Sequence, residues 1–355
     1  MADPTAAATT DEVIIRREGR AGRLTLNRPA ALNALTYGMV KSITAALSAW
    51  ASDPAIEVVV LDGTGEKALC AGGDVRWLYD IRPAGTEVAL AFWRDEYILD
   101  AMIANYAKPF VALMSGIVMG GGIGLSAHAR HRIVSETSML AMPETTIGLI
   151  PDVGGTFLLG HAQGRLGLYL GLCGVRMNGS DAIQAGFADT YVSRAKTEQL
   201  VAALVRPSGD PVDEIVDQFA EPVPPSPLSD KRELIDRLFA GDDVKSIMSN
   251  LLTTTDDLAR KAHDDLLVRS PKALALSLEA IKRAKTYKKL EEALAVEFRL
   301  VNRLYEDGEF IEGVRALLVD KDKKPRWTPP SIDAVTPDLV ARYFVPFPPG
   351  VELTW

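Results

Sequence analysis

Apolar and polar positions follow two alternating patterns as far as about residue 205. Short apolar runs rich in valine and isoleucine, such as residues 56–61 and 110–114, are typical of strands buried in a sheet. Longer segments with apolar residues three or four apart, such as residues 33–50 and 87–107, are typical of amphipathic helices. The alternation predicts an α/β fold whose strands are buried on both faces.

The same patterns predict several shorter elements. The predicted strands and helices, with the residues they cover, are strands at 13–17, 22–26, 132–135 and 139–141, a short strand end and glycine turn at 68–74, and helices at 119–131 and 153–162. Asp152 lies just before the last helix, where an aspartate is a good N-cap.

The second half of the chain has a different character. Prolines punctuate the sequence after residue 206, a mainly helical pattern follows, and prolines return near the end. The predicted segments are a core at 12–205, a proline-rich connector with one short helix at 206–228, a helical region at 229–320 and an irregular tail at 321–355. Residues 1–10 are expected to form a floppy N-terminal tail.

Composition narrows the class of protein. The 355 residues carry a net charge of −8, which argues against broad nucleic-acid binding. No apolar run reaches the length of a membrane span, and the first residues lack the apolar stretch of a signal peptide. The cysteines, Cys70 and Cys173, are too few for a disulfide framework and have no metal-site spacing, so a reducing, cytoplasmic location is expected.

One local segment is basic although the net charge of the chain is negative. Residues 281–289 (IKRAKTYKK) place five cations in nine positions, which would suit a phosphate-bearing ligand. A solvated helix face explains the segment more simply, and that interpretation is preferred.

Two glycine turns and two acids suggest chemistry. Residues 70–74 (CAGGD) follow one predicted strand, and residues 119–122 (MGGG) open a helix about fifty residues later. Each turn can aim a backbone N–H at a bound ligand. Glu144 and Asp152 follow, eight residues apart, and a carboxylate near Pro143 and apolar neighbours is a candidate base. N–H donors for an oxyanion together with a base are the equipment of acyl chemistry.

These motifs resemble the crotonase (enoyl-CoA hydratase/isomerase) superfamily. The matching pieces are residues 26–35 (LNRPAALNAL), 70–74 (CAGGD), 108–112 (KPFVA), 119–122 (MGGG), 142–145 (MPET) and 151–155 (PDVGG). The resemblance implies a crotonase-like spiral of ββα units with a helical C-terminal region and an acyl-CoA substrate. It also implies an oxyanion hole for the thioester, formed by the N–H groups of Gly73 and Gly121.

One position separates branches of that superfamily. Hydratases carry a glutamate two residues after the glycine triplet, and here Gly124 takes that place. Asp152, Glu96 and the segments 310–316 (FIEGVRA) and 320–327 (DKDKKPRW) instead resemble the 3-hydroxyisobutyryl-CoA hydrolase branch. That resemblance extends over nearly the whole chain and implies thioester hydrolysis in valine catabolism.

The resemblance also assigns roles to residues. Glu144 would be the base or the nucleophile, Asp152 would orient water or bind the substrate hydroxyl, and Glu96 would contact the 3-hydroxyl end. Asp74 and Val75 are expected to border the pantetheine arm of CoA, and Asn33, Ala34 and Leu35 are expected to flank the adenine. Further residues expected to bind substrate are Ala71, Gly72 and Gly120. No cofactor is expected, because CoA is part of the substrate, and no metal is expected.

Two other functions remain open on sequence alone. An enoyl-CoA hydratase or isomerase with a single catalytic glutamate would carry the same glycine turns. A non-catalytic acyl-CoA-binding or scaffold protein would use the glycines only for packing. Members of the superfamily often form trimers or hexamers through C-terminal helices, and the tail from residue 320 onward could alter or block such a surface.

Overall fold

The computed structural model describes residues 11–207 and 209–355, so the predicted tail at residues 1–10 lies outside the described residues. The strands are β1 (Val13–Glu18), β2 (Ala21–Leu26), β3 (Val58–Gly63), β4 (Ala68–Cys70), β5 (Phe110–Leu113), β6 (Ile117–Met119), β7 (His131–Val134), β8 (Met139–Ala141), β9 (Met177–Asn178) and β10 (Thr190–Tyr191). The helices are α1 (Tyr37–Ser52), α2 (Val75–Ile81), α3 (Glu87–Ala104), α4 (Gly121–Ser126), α5 (Gly155–His161), α6 (Leu166–Cys173), α7 (Gly179–Gln184), α8 (Arg194–Val205), α9 (Val212–Phe219), α10 (Arg232–Leu238), α11 (Val244–Leu251), α12 (Asp257–Val268), α13 (Pro271–Ala284), α14 (Leu290–Glu306), α15 (Glu309–Val314) and α16 (Pro337–Tyr343).

The chain divides into two compact units. Unit 1 comprises the described residues up to Gly73 together with Ile98–Leu140 and Met177–Ser226. Unit 2 comprises Asp74–Tyr97, Ala141–Arg176 and Pro227–Trp355. This division differs from the four predicted segments, because residues 74–97 and 141–176 group with the C-terminal helices rather than with the rest of the predicted core.

A six-stranded sheet forms the centre of unit 1, in the order β1-β2-β3-β5-β7-β10. β1 and β2 are antiparallel, and the remaining pairs are parallel. Val58, Val59 and Val60 of β3 are all fully buried, as expected for β-branched residues in a strand covered on both faces. Apolar residues of α8 and α9, including Leu200 and Ile215, complete this core. The predicted α/β fold is therefore confirmed.

A smaller sheet in the order β4-β6-β8-β9 places the glycine turns. β4 and β6 are parallel neighbours, with Cys70 opposite Val118. Because parallel strands end at the same edge of a sheet, the turns that follow β4 and β6 emerge side by side. The predicted bounds of the helix at 119–131 are wrong: α4 covers only the six residues Gly121–Ser126, and Met119 is the last residue of β6.

Helices dominate unit 2. α13 begins with Ser270, whose hydroxyl accepts a hydrogen bond from the N–H of Ala273 at 3.0 Å, and Pro271 occupies its first turn. α13 packs against α5, α6 and α14. An aromatic cluster of Trp93, Tyr305 and Phe310 has ring centroids between 5.3 and 6.0 Å apart.

The last segment is more ordered than the sequence predicts. It contains α16, capped by Thr336, and the guanidinium of Arg303 donates to the carbonyls of Tyr343 and Val345 at 2.6 Å each. The many prolines suggested an irregular tail, but Pro337 sits in the first turn of α16, where a missing N–H costs nothing.

Candidate active site

The two glycine turns of unit 1 lie against each other. A Cβ atom placed on Gly72 would lie 3.4 Å from the carbonyl oxygen of Met119 and 3.9 Å from the nitrogen of Gly121. A Cβ atom on Gly122 would lie only 2.4 Å from the carbonyl oxygen of Cys70. Only glycine permits this approach, so the turn after β4 and the turn after β6 are held together by backbone contact.

The N–H groups of Gly73 and Gly121 are available to a ligand. Within residues 11–207 and 209–355, neither group donates a hydrogen bond to another protein atom. Gly121 is the first residue of α4, and the first N–H groups of a helix have no partner inside it. Gly120, with φ of +46°, turns the chain into that helix. The two amides predicted as oxyanion donors therefore belong to adjoining turns of one unit.

The segment predicted to flank the adenine is tied to the same turns. The Leu35 N–H donates to the carbonyl of Gly72 at 2.8 Å, and the Ala71 N–H donates to the carbonyl of Leu32 at 3.0 Å. The Asn33 side chain is fully buried and donates to the carbonyl of Ala68 at 2.9 Å. That amide is therefore engaged in the protein interior.

The neighbouring positions have clear local roles. The carbonyl of Ala34 accepts a hydrogen bond from the Arg28 guanidinium at 2.5 Å. In unit 2, Asp74 caps α2 by accepting from the N–H of Trp77 at 3.1 Å, and Val75 is the first residue of that helix.

Glu144 belongs to unit 2 and lies at the start of a 3₁₀ turn, Glu144–Ile147. It is 5% exposed, and its Oε2 is buried without a hydrogen-bond partner among the described residues. Burial raises the pKa of Glu144 well above its usual range, and the charges of Asp152 and Glu297 raise it further. A buried carboxyl with a vacant acceptor is suited to take a proton or to attack a bound group.

Asp152 lies on a loop shaped by two left-handed residues, Val153 with φ of +51° and Gly154 with φ of +79°. Its Oδ2 accepts a hydrogen bond from the hydroxyl of Tyr97 at 2.7 Å. Burial raises the pKa of Asp152 to about 7, although the Tyr97 hydrogen bond acts to lower it. The carboxyl therefore changes charge near neutral pH.

The prediction that Asp152 caps the following helix is wrong. α5 begins at Gly155, and its N-cap is Gly154, which offers no side chain. The left-handed turn at Val153 and Gly154 moves Asp152 away from the first turn of the helix. Its side chain instead meets Tyr97, while its carbonyl accepts from the N–H of Gly155 at 2.6 Å.

Another buried carboxyl, Glu297 of α14, accepts hydrogen bonds from the N–H groups at the start of α5, as a capping side chain would. Its Oε2 accepts from the N–H of Gly154 at 2.7 Å, and its Oε1 accepts from both the N–H of Thr156, at 2.9 Å, and the Thr156 hydroxyl. Burial is the largest influence on the Glu297 pKa and raises it to about 8. Glu96 of α3 is also buried, and burial together with the Asp152 charge raises its pKa well above the usual range.

Sequence reasoning found Glu96, Glu144 and Asp152 but missed Tyr97 and Glu297. A signal for Glu297 exists in the sequence: it interrupts the apolar stripe formed by Leu290, Leu294, Val301 and Leu304 of α14. A charged residue inside such a stripe is buried and needs partners. Those partners cannot be read from the sequence, because they lie about 140 positions earlier in the chain.

Other candidate features belong to local structure. Lys282 and Arg283 of the basic segment pair with Asp242 and Glu279, as expected for a solvated helix face. Cys70 and Cys173 are buried, and neither forms a disulfide in the described part of the chain. In the described part of the chain, no cluster of His, Cys, Asp and Glu has the geometry to hold a metal ion.

The sequence matches the family model described as enoyl-CoA hydratase/isomerase over residues 21–344. The chain belongs to the enoyl-CoA hydratase/isomerase family. Curated relatives are named 3-hydroxyisobutyryl-CoA hydrolase, mitochondrial: the protein from Danio rerio is 41% identical, with 94% of this chain and 89% of the relative covered. The human protein is 36% identical, with 94% and 88% covered. The predicted resemblance to this branch is confirmed.

Solved structures of family members confirm the fold. A carnitinyl-CoA dehydratase from Mycobacterium thermoresistibile is 43% identical with a TM-score of 0.92, and 97% of this chain and 99% of that chain are covered. An enoyl-CoA hydratase from Rhodobacter sphaeroides is 46% identical with a TM-score of 0.92, with 97% and 100% covered. These relatives thus carry names from two reaction classes.

The expected cytoplasmic location is wrong, because the curated relatives are named mitochondrial. The expectation was based on low cysteine content, which reports a reducing environment and does not distinguish one reducing compartment from another. Within the described residues, every helix is too short or too polar to cross a membrane.

Proposed function

We propose that this protein hydrolyses the thioester of 3-hydroxyisobutyryl-CoA, and of related short 3-hydroxyacyl-CoAs, to the free hydroxy acid and CoA in valine catabolism. The observation that carries the proposal is Glu144: a buried carboxyl with a vacant acceptor oxygen and a raised pKa. The curated relatives, named for this hydrolysis, identify the substrate class.

The proposal assigns the thioester oxygen to the N–H groups of Gly73 and Gly121. Negative charge develops on that oxygen when the carbonyl carbon becomes tetrahedral, so fixed donors bind the transition state more strongly than the substrate. The absence of any protein acceptor for these two N–H groups among the described residues supports this role. Loss of one such donor costs on the order of 10²–10³ in rate.

Glu144 then has two routes to the acid product. As a general base, it takes a proton from water, and the water oxygen bonds to the carbonyl carbon as the C–S bond breaks. As a nucleophile, its carboxylate displaces CoA and forms a mixed anhydride, which water opens in a second step. Both routes consume one water and release the CoA thiol.

A single turnover in H₂¹⁸O distinguishes these routes. Mass spectrometry of the peptide that contains Glu144 would show ¹⁸O if water opens an anhydride at the glutamate carbonyl. Label confined to the product acid is expected of direct attack by water and also of an anhydride opened at the substrate carbonyl, so label in the Glu144 peptide is the decisive result.

Asp152 and Glu96 complete the proposed site. Asp152, whose pKa lies near 7, orients the water or accepts a hydrogen bond from the 3-hydroxyl group of the substrate. Glu96 assists at the hydroxyl end, since the Asp152 charge acts on it directly. The CoA arm is assigned to the backbone around the residues expected from sequence: Asn33, Ala34, Leu35, Ala71, Gly72, Asp74, Val75 and Gly120. No cofactor is needed in this scheme.

Hydration of an enoyl-CoA is the second candidate, because two solved relatives bear hydratase or dehydratase names. The position of the second hydratase glutamate is Gly124, a buried residue of α4 that has no side chain to offer. A single acid would then have to both activate water and protonate the product carbon.

Parallel assays decide between these functions. Purified protein is given 3-hydroxyisobutyryl-CoA, isobutyryl-CoA and crotonyl-CoA, and both free thiol and loss of enoyl absorbance are followed. The proposal expects thiol release that is fastest for the 3-hydroxyacyl thioester, with little hydration. Fast hydration of crotonyl-CoA without thiol release would favour the second candidate.

A further inference from the structure

Glu297 is a buried carboxyl that the proposed chemistry does not use. It is fully buried on α14, and both of its oxygens point at the loop formed by residues 151–156. Three donors converge on it: the N–H groups of Gly154 and Thr156 and the hydroxyl of Thr156. Burying a carboxyl costs free energy unless hydrogen bonds replace its water. These three donors provide that replacement, and they tie Glu297 to the loop.

The loop that Glu297 holds has an unfavourable backbone. Val153 is β-branched and adopts φ of +51°, a region that such residues rarely occupy. A conformation of this kind is unfavourable and persists only where surrounding contacts enforce it. With Gly154 also left-handed, the loop aims two of its N–H groups at one carboxyl.

We infer that Glu297 is a positioning residue for the proposed hydrolysis, which holds the 151–156 loop so that Asp152 faces Tyr97. The inference rests on the proposed function. Tyr97 fixes the Asp152 side chain from one side, through its hydroxyl, and Glu297 fixes the backbone that carries Asp152 from the other. Without the carboxylate, two N–H groups lose their partner and the loop relaxes.

The charge of Glu297 has a second consequence, which a purely structural role would not have. The ionisable groups that interact electrostatically with Glu297 are Asp152, Tyr97 and Tyr287, and its charge also acts on Glu144. A negative charge nearby disfavours ionisation of Glu144 and so raises the Glu144 pKa. Glu297 carries this charge above its own pKa of about 8, so a neutral replacement lowers the pKa of Glu144 in that range.

The test is Glu297→Gln, assayed by thiol release from 3-hydroxyisobutyryl-CoA over a range of pH. The amide can accept from only one of its two backbone donors, so we expect kcat to fall on the order of 10²-fold, as for a displaced catalytic group. KM should change little, and the acidic limb of the kcat profile should move to lower pH. Unchanged kcat with an unmoved limb would overturn the inference.

Asp181→Asn is the matched control. Asp181 is a buried carboxyl of unit 1 that accepts from the hydroxyl of Ser226 at 2.5 Å. It does not belong to the set of buried carboxyls formed by Glu96, Glu144, Asp152 and Glu297. Its neutral variant should lower Tm and leave the acidic limb in place. A limb that moves equally in both variants would also overturn the inference.

Two further variants make the test independent of how well Glu297→Gln folds. Thr156→Val keeps the shape of the side chain and removes one hydrogen bond, so kcat should fall about fivefold. In an Asp152→Asn background, Glu297→Gln should cause little further loss, since both changes act at one carboxyl. Full activity of Thr156→Val, or losses that multiply in the double variant, would count against the inference.

Failure of the proposed function is a separate outcome. It would show as absence of thiol release by the wild-type protein. Failure of the inference would appear differently: the wild type would release thiol, and the Glu297→Gln variant would release it equally fast.

Discussion

At the scale of single residues, the main feature is a set of four buried carboxyls within unit 2: Glu96, Glu144, Asp152 and Glu297. They are not neutralised alike, since Asp152 accepts from Tyr97 and Glu297 accepts from backbone N–H groups, while Glu144 Oε2 has no partner among the described residues. Differences in hydrogen bonding thus distinguish Glu144, the proposed catalytic carboxyl, from Asp152 and Glu297.

Tyr97→Phe tests that separation. The Tyr97 hydrogen bond lowers the pKa of Asp152, so its removal should raise that pKa above about 7. If ionised Asp152 orients the water, the acidic limb of kcat should move to higher pH, opposite to the shift expected of Glu297→Gln. The profile is measured by thiol release, and an unmoved limb would show that Asp152 need not ionise.

Three of these four carboxyls could be predicted from the sequence, but the hydrogen bonds around them could not. Glu96, Glu144 and Asp152 lie in local motifs, so a resemblance carried them directly. The capping role predicted for Asp152 failed because the positive φ of Val153 is not signalled by the residue type. Glu297 depends on a contact across about 140 residues, which no local pattern encodes.

At the scale of elements, the feature that matters is the contact between the turn after β4 and the turn after β6. The apolar pattern predicted a short strand end at β4 but no strand at β6. The parallel pairing of these two strands brings both turns to one edge of the smaller sheet. The glycines were predicted to let the turns converge, and the backbone contact of Gly122 with Cys70 gives that convergence a physical basis.

Gly122→Ala tests the importance of this contact. The new Cβ would lie 2.4 Å from the Cys70 carbonyl oxygen, which is backbone and cannot move aside alone, so the turns must separate. We expect kcat for thiol release to fall roughly 10²-fold, because donor placement is lost. The variant is compared with wild type at equal folded concentration, judged by circular dichroism.

Gly186→Ala is the control for that substitution. Gly186 is also in unit 1 and has φ of +81°, but a Cβ there would meet nothing within 4 Å. It should cost about 1 kcal/mol of stability through backbone strain and leave kcat unchanged. Equal activity of both alanine variants would contradict the role given to the paired turns.

At the scale of the whole molecule, the chain divides into units that interleave along the sequence. Unit 2 contains residues 74–97 and 141–176 in addition to the C-terminal helices. From the sequence, both of these segments, which carry Glu96, Glu144 and Asp152, were instead predicted to lie in one continuous core. Composition and proline content mark linkers but do not reveal which helices share a core. The expected trimer or hexamer stays a prediction.

Buried carboxyls should give the protein an unusual dependence of stability on pH. The folded-state pKa values of Asp152, about 7, and Glu297, about 8, lie above the ordinary values of 3.8 and 4.5. The folded state therefore holds more protons than the unfolded state between these limits. The stabilisation from these groups is full below about pH 4 and is lost as pH rises through 7 to 8.

Thermal unfolding between pH 5.5 and 8.5 measures this effect. Wild-type Tm should fall as pH rises, while activity rises as the acids ionise. Asp152→Asn, which cannot ionise at this position, should show a flatter dependence of Tm on pH. Equal slopes for the two proteins would contradict the raised pKa of Asp152.

The most direct test of the central claim is thiol release from 3-hydroxyisobutyryl-CoA by wild type and by Glu144→Gln. The variant keeps the size of the side chain and removes its basicity, so kcat should fall by about 10²–10⁴ with little change in KM. Rapid release by wild type and its near-complete loss in the variant is the predicted result. A Glu144→Gln enzyme that turns over at the wild-type rate would contradict the account.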